Sequence, residues 1–326
     1  MPANVTPEYE HAERRFREAT SDEGKLDALQ EMLSTIPKHK GTEKMQADIK
    51  RRISQLRKAK GKKGATRGPD PFHVPRGGAG QVILIGAPNV GKSMLVAATT
   101  NAPVKVAEYP YTTALPIPGM WPHEDVQIQL LDSPPITAGH VPTGLMGAVR
   151  LADIVAVVVD AAADPLEDAG MVLPLLAERS LELCAAPCAE LDPMDRYRRC
   201  GLLIGNKVDL APADNISALR ELYAGRLEVR PVSAATGEGL DELRGRLWEL
   251  LSVLRVYTKE PGRPADYDRP FTLRIGSTVE DLARHIHREL PEKMKYARIW
   301  GGERFAGQHV HRTETLRDKD VVEIHE

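Results

Sequence analysis

GAPNVGKS, residues 86–93, decides the fold. It fits G-x-x-x-x-G-K-[ST], the loop that wraps backbone N–H groups around a phosphate. QVILI (81–85) runs into it and SMLVAATT (93–100) leaves it, so the context reads strand, Gly-rich turn, helix. That context separates a phosphate loop from an ordinary glycine turn with a surface lysine. Gly86 and Gly91 let the backbone approach an anion closely. Successive amides then converge on the anion, and the following helix adds its positive end. Lys92 is placed to reach the β- and γ-phosphates, and the Ser93 hydroxyl to bind Mg²⁺. Asn89, Val90, Gly91, Lys92, Ser93 and Met94 are the candidate nucleotide contacts here, with Lys92 also the candidate catalytic cation.

The next stretches fall in the order such a loop requires. VAEYPYTTALPIPG (106–119) reads as a switch segment, in which a Thr hydroxyl completes the Mg²⁺ shell. Thr113 is the preferred ligand and second candidate catalytic residue, with Thr112 the alternative. VQIQLLD (126–132) alternates and then turns apolar, as a strand does, and ends in Asp132. A carboxylate at the C-terminal end of a parallel strand, beside a phosphate loop, is positioned to hold the metal. DIVAVVVDA (153–161) and GLLIGNKVD (201–209) are nearly unbroken apolar runs, the pattern of strands buried on both faces. In NKVD, Asp209 can accept two hydrogen bonds from guanine, which adenine cannot supply in that geometry. Leaving such an acid unpaired is costly, so discrimination by roughly 10⁴ or more is attainable. Asn206 braces the loop and meets the base edge, while the stem of Lys207 covers the ring. Ser233, Ala234 and Ala235, in EVRPVSAATGEG (228–239), can present N–H groups to the guanine oxygen. Strands alternating with helices predict an α/β fold with a mainly parallel sheet and right-handed crossovers.

The 326 residues allow two or three domains, and a net charge of −2 gives no global field for nucleic acid or membrane. No apolar run reaches the roughly 18 residues of a bilayer span. The charged N-terminus lacks an apolar signal region, so a soluble, cytoplasmic protein without a membrane partner is expected. Cys184, Cys188 and Cys200 make no disulfide framework, and CAAPC lacks the further ligands of a metal site, which favours plain thiols. Ahead of the loop, Leu26, Leu29, Leu33 and Ile36 form one helical stripe and Met45, Ile49, Ile53 and Leu56 another. With Pro37 and Gly41 between them, these predict a helical hairpin, joined by a short helix over 7–19. From Lys50 to Arg67 there are nine basic residues and no acidic one. This is either a solvated linker or a phosphate-backbone contact. GPDPFHVPRGGAG (68–80) is rich in Pro and Gly and marks a boundary.

Beyond 270, FTLRIG, TVEDLARHIHREL, YARIW and VVEIH read strand, helix, strand, strand. A small ubiquitin-like β-grasp fold accounts for them. Its five histidines (His285, His287, His309, His311 and His325) read as surface or half-buried side chains, with His309 and His311 able to share a strand face.

The order of motifs resembles translation-factor-class GTPases, and YPYTT resembles the switch segment of the Obg-type branch. LRVYTKEPG (254–262) resembles the junction after the GTPase domain in the developmentally regulated GTP-binding protein (DRG) group, and the stretch from Phe271 to Glu326 resembles that group's C-terminal TGS domain. The resemblance spans roughly residues 45–326. It implies GTP hydrolysis to GDP, Mg²⁺, and association with ribosomes or structured RNA, through the basic segment 50–67 and the TGS domain. Together with the helical stripes and the Pro/Gly boundary, it divides the chain into a helical arm (1–67), a linker (68–80), an Obg-type GTPase domain (81–269) and the TGS domain (270–326).

Departures from the group's pattern bear on chemistry. Its D-x-x-G motif is DSPP here (132–135), and Pro135 has no N–H to offer a γ-phosphate. Ile136, like the apolar residue that Obg-type proteins carry at this position, stands where many small GTPases place a water-orienting Gln, so slow intrinsic hydrolysis is expected. Asn89 matches an asparagine that potassium-activated relatives use, which implies K⁺ stimulation. Residues 161–200 leave no room for the long insertion of eukaryotic members, which suggests a prokaryotic-style protein. Two readings stand open: a slow GTPase switch, and a guanine-nucleotide scaffold with negligible hydrolysis. An ATP-dependent kinase or ATPase conflicts with NKVD and SAA.

Overall fold

Apolar, β-branched runs build the sheet that carries the phosphate loop. The computed structural model describes residues 7–18, 22–36, 42, 45–54, 72–100, 115–192, 194–301 and 305–326. The chain divides into two units, Met1–Asp70 and Pro71–Glu326.

The first unit holds α1 (Pro7–Glu18), α2 (Asp22–Thr35) and α3 (45–54). Tyr9 and Ala12 of α1, Leu29 and Met32 of α2, Ile36, and Ile49 and Ile53 of α3 form its core. The short helix thus joins the expected hairpin as a packing partner. At the start of the basic run, Arg52 pairs with Asp48 at 2.9 Å and Arg51 with the same carboxylate at 3.5 Å. Residues 55–67 of that run lie outside the described residues.

In the second unit a seven-stranded sheet is built from β1 (Gln81–Ile85), β2 (Ile117–His123), β3 (Val126–Asp132), β4 (Ile154–Asp160), β5 (Glu182–Cys184), β6 (Arg198–Asn206) and β7 (Glu228–Pro231). The order is β2-β3-β1-β4-β6, with β5 and β7 pairing successive stretches of β6. Every pairing is parallel except β2 with β3. Val82 and Leu84 of β1 face one core with α4 (Lys92–Thr99) and α8 (Leu240–Leu251). Ile83 and Ile85 face another, with α5 (Leu145–Leu151), α6 (Pro165–Glu178) and α7 (Ala213–Leu222). Helices on both faces explain why β4 is buried from Ile154 to Val159.

Two expected boundaries differ from the structure. From Phe72 onward the expected linker is packed: Phe72 lies in the core, Ala79 N–H donates to Gln127 O at 2.7 Å, and Gln129 N–H donates to Gly80 O at 2.9 Å. Glycine permits that approach, since a Cβ on Gly78 would stand 2.1 Å from Gln127 O. At the other end, LRVYTKEPG supplies a strand of the C-terminal sheet. β8 (Val253–Lys259) pairs with β9 (Ala265–Arg274) and β12 (Asp320–His325), so the expected 269/270 border falls inside β9. This sheet runs β11-β10-β12-β8-β9, with β10 at Tyr296–Trp300 and β11 at Gln308–Val310. It is covered by α9 (Val279–Ile286), which opens on a Thr278–Asp281 capping box; α10 (Leu290–Lys293) follows. His309 and His325 stack on the two faces of Tyr296, at 4.3 and 4.4 Å, and His311 bonds Thr313 beyond the strand. Among the described residues no group of His, Cys, Asp and Glu could hold a metal, and the three cysteines are free thiols.

Candidate functional site

The loop between β1 and α4 is shaped by what crowds it. Gly91 caps α4 at φ 94°, a left-handed conformation that suits glycine, and a Cβ there would stand 2.2 Å from Asn206 Nδ2. A Cβ on Gly86 would stand 2.3 Å from Val158 O on β4. Asn89 is exposed at φ 63° and Met94 is exposed on α4. Lys92 is buried, and its Nζ donates to Gly86 O at 3.0 Å and Ala87 O at 2.8 Å. Burial lowers its pKa to about 8, against the opposing pull of Asp132 and Asp168.

Next to the lysine, Ser93 Oγ donates to Asp132 Oδ2 at 2.5 Å. Asp132 is fully buried, and its Oδ1 has no hydrogen-bond partner among the described residues. Burial pushes this carboxyl upward, against the Ser93 hydrogen bond and the Lys92 charge. An orphaned carboxylate oxygen beside a hydroxyl suits a hard divalent cation. Thr112 and Thr113 lie outside the described residues.

Asn206 ends β6 and uses both ends of its amide. Nδ2 donates to Val90 O at 2.9 Å, and Oδ1 accepts from Ala234 N–H at 3.0 Å. One buried side chain thereby joins the phosphate loop, the NKVD strand end and the SAA loop. Lys207 follows at φ 67°, its Nζ paired with Asp160 Oδ2 at 2.5 Å. Asp209 sits exposed on a short turn, Val208–Leu210, with no hydrogen bond or ion pair among the described residues.

Two further placements bear on the site. Each SAA amide already has a partner within the chain: Ser233 N–H donates to Glu238 O at 2.9 Å, Ala234 N–H to Asn206, and Ala235 N–H to Ser233 Oγ at 3.2 Å. The reason is local, since Ser233 Oγ caps its own turn and also accepts from Thr236 N–H at 3.1 Å. Ile136 does not face the site as a replaced Gln would. Its side chain is fully buried in the sheet core, and its N–H donates to Gly86 O at 3.0 Å. Sequence reading also passed over Asp160 and Asp168. Asp168 Oδ2 accepts from Asp160 N–H at 2.9 Å, fixing the carboxylate that holds Lys207. The available signal was an acid ending the apolar run DIVAVVVDA, beside the strand carrying NKVD.

Residues 81–183 match the family described as 50S ribosome-binding GTPase, and residues 254–326 match the TGS domain. This chain carries a GTPase domain and a TGS domain. The TGS match begins within β8, as the strand pairing requires. Developmentally-regulated G-protein 1 of Arabidopsis thaliana is 28% identical, over 92% of this chain and 90% of its own. Developmentally-regulated GTP-binding protein 2 of Homo sapiens is 26% identical, over 92% and 98%. Among solved structures, the FeoB G-domain from Methanococcus jannaschii aligns at TM-score 0.37 and 24% identity, over 52% of this chain and 94% of that one. A point variant of Aquifex aeolicus Era aligns at TM-score 0.38 and 22% identity, over 69% and 72%. No helix among the described residues is long and apolar enough to cross a membrane.

Proposed function

We propose that this chain is a cytoplasmic, Obg-type GTPase of the DRG group, a switch that binds GTP and hydrolyses it slowly. The observation that carries the reading is the double hydrogen bond of Asn206, to Val90 O and from Ala234 N–H. It gathers the three motifs needed to hold a phosphate tail and read a purine. Asp209 would pair with guanine, Lys207 would cover the ring, and the base oxygen would share Ala235 N–H with Ser233 Oγ.

Ser93 and Asp132 would hold Mg²⁺, with Thr113 the expected third ligand, and the bound ion would neutralise phosphate charge. Lys92 would turn from its two loop carbonyls to the β- and γ-phosphates. Slow turnover follows from residues 135–136. Pro135 has no N–H, and both the amide and the side chain of Ile136 are committed elsewhere, so neither residue orients a water. Exposed Asn89 is the candidate K⁺ contact. Docking to a ribosome or structured RNA falls to the basic segment 50–67 and the TGS domain.

Single-turnover GTP hydrolysis, with and without ribosomes, tests the switch. Unassisted turnover on the order of 10⁻⁴ s⁻¹ is expected. A rate no higher than that of Lys92→Ala protein would leave a nucleotide-binding scaffold instead.

A further inference from the structure

Asp160 ends β4, between the strand that feeds the phosphate loop and the strand that carries NKVD, since the sheet runs β1-β4-β6 at its centre. It pairs in register with Asn206, the residue before Lys207. Its two carboxylate oxygens have separate partners. Oδ1 accepts from Ala162 N–H at 3.0 Å, and Oδ2 takes the Lys207 ammonium at 2.5 Å. The turn that carries this carboxylate is itself tied down. Asp160 N–H donates to Asp168 Oδ2 at 2.9 Å, and Ala161 N–H donates to Asn206 O at 2.8 Å. Asn215 Nδ2 donates to Ala161 O at 2.8 Å and to Ala163 O at 3.1 Å. Only 18% of the Asp160 side chain meets solvent, so salt screens the pair less than it would an open surface pair.

That pairing gives the Lys207 side chain a direction. Lys207 stands at φ 67°, in the left-handed region that residues with a side chain seldom adopt, and it caps the Val208–Leu210 turn. Its stem runs from the end of β6 to the end of β4, hence toward the phosphate loop that follows β1. Neighbouring strands lie about 4.8 Å apart, a span a lysine stem covers easily. Asn206 crosses the same way, to Val90 O at 2.9 Å. Both side chains thus lie at the carboxyl ends of the strands, the crevice where open α/β sheets take their ligands. Without Asp160, the flexible four-carbon stem would leave the ammonium free to sweep that crevice.

We infer that Asp160 is a positioning residue for guanine-nucleotide binding. It holds the Lys207 ammonium so that the stem already lies where the base ring packs. The ordering of a long, flexible side chain is then completed in folding and is not repeated on binding. Asp168 assists by fixing the Asp160 amide. Because the device acts at the base end of the ligand, it serves GDP and GTP alike.

The inference rests on the guanine-nucleotide reading, and the experiment separates the two. Dissociation constants for fluorescent GDP and GTPγS are measured for full-length wild-type protein, Asp160→Asn, Lys207→Met and the double variant, beside a melting curve for each. Asparagine keeps an Oδ1 for Ala162 N–H and removes the charge; methionine keeps an apolar stem and removes the ammonium. We expect Asp160→Asn to weaken both nucleotides by about fivefold and by the same factor, a usual coupling for residues in contact. In the Lys207→Met background, the same change at 160 should shift affinity by less than about twofold. An equal loss in both backgrounds makes Asp160 purely structural and overturns the inference. Wild-type affinity in Asp160→Asn, or a loss confined to GTPγS, overturns it as well. Where Asp160→Asn melts below the assay temperature, Asp160→Ser takes its place in the same cycle. Wild-type protein that binds neither nucleotide overturns the nucleotide reading and this inference with it.

Discussion

Lys92 carries its charge in a buried setting that lowers its pKa to about 8, from an ordinary 10.5. A triphosphate favours the ammonium form, so binding takes up a proton wherever the free lysine has lost one. GTP affinity should therefore be flat below about pH 7 and fall above pH 8 by up to about tenfold per pH unit. Calorimetric titrations from pH 6.5 to 9.5 check the slope, and Lys92→Met should remove it along with most of the affinity. Asp209, exposed with no partner among the described residues, is expected to read the base. Asp209→Asn should lower the GTP-over-ATP preference by about 10² or more, measured by competition. Residue types were legible wherever chemistry demands a type at a spacing, as in GKS or NKVD. Partners were not. Nothing in the letters says that Asn206 spans from Val90 to Ala234, or that Ser233 Oγ takes the Ala235 amide, because those contacts join residues 28 and 116 positions apart, or close a local turn.

Among elements, the phosphate loop depends on Gly86 and Gly91 lacking a side chain. Gly91→Ala would force a side chain into φ 94° and within 2.2 Å of Asn206 Nδ2. Left-handed geometry alone costs about 1–2 kcal/mol. Nucleotide binding should be lost while the melting temperature falls only a few degrees, which a binding assay and a thermal melt check together. The β-strands were legible because apolar β-branched runs buried on both faces leave little choice. β8 was misplaced because LRVYTKEPG alternates like a strand at a sheet edge yet follows directly on α8, and only pairing with β9 and β12 shows which sheet it joins. The 72–80 stretch misled for a similar reason. Its Pro and Gly content reads as a spacer, but those glycines allow it to lie against β3.

For the whole molecule, the contact in which Arg255 of β8 bonds Glu124 and Asp125 of the β2–β3 turn, and Asp318, makes docking of the TGS domain acid-labile. The Arg255 hydrogen bond holds the Glu124 carboxyl below its usual range. Burial raises those of Asp125 and Asp318, but hydrogen bonds from Arg255, and from Tyr257 to Asp125, outweigh it and leave both lowered. Lowered folded-state values give stability that is present above the unfolded pKa, near 4, and lost as pH falls through the folded values. Thermal melts from pH 7 to 3 should lose stability below about pH 4.5, less steeply in Arg255→Met. The GTPase and TGS domains were legible from motif order; their contact was not, since it rests on Glu124 and Asp125 in a turn whose sequence carries no motif. The account as a whole depends on a pocket that grips a phosphate tail and selects guanine. Competition between GTP and ATP for the purified full chain measures this most directly. GTP should bind at least about 10³-fold more tightly, as a hydrogen-bonded base-reading site requires. Equal affinities, or tighter ATP binding, would contradict it.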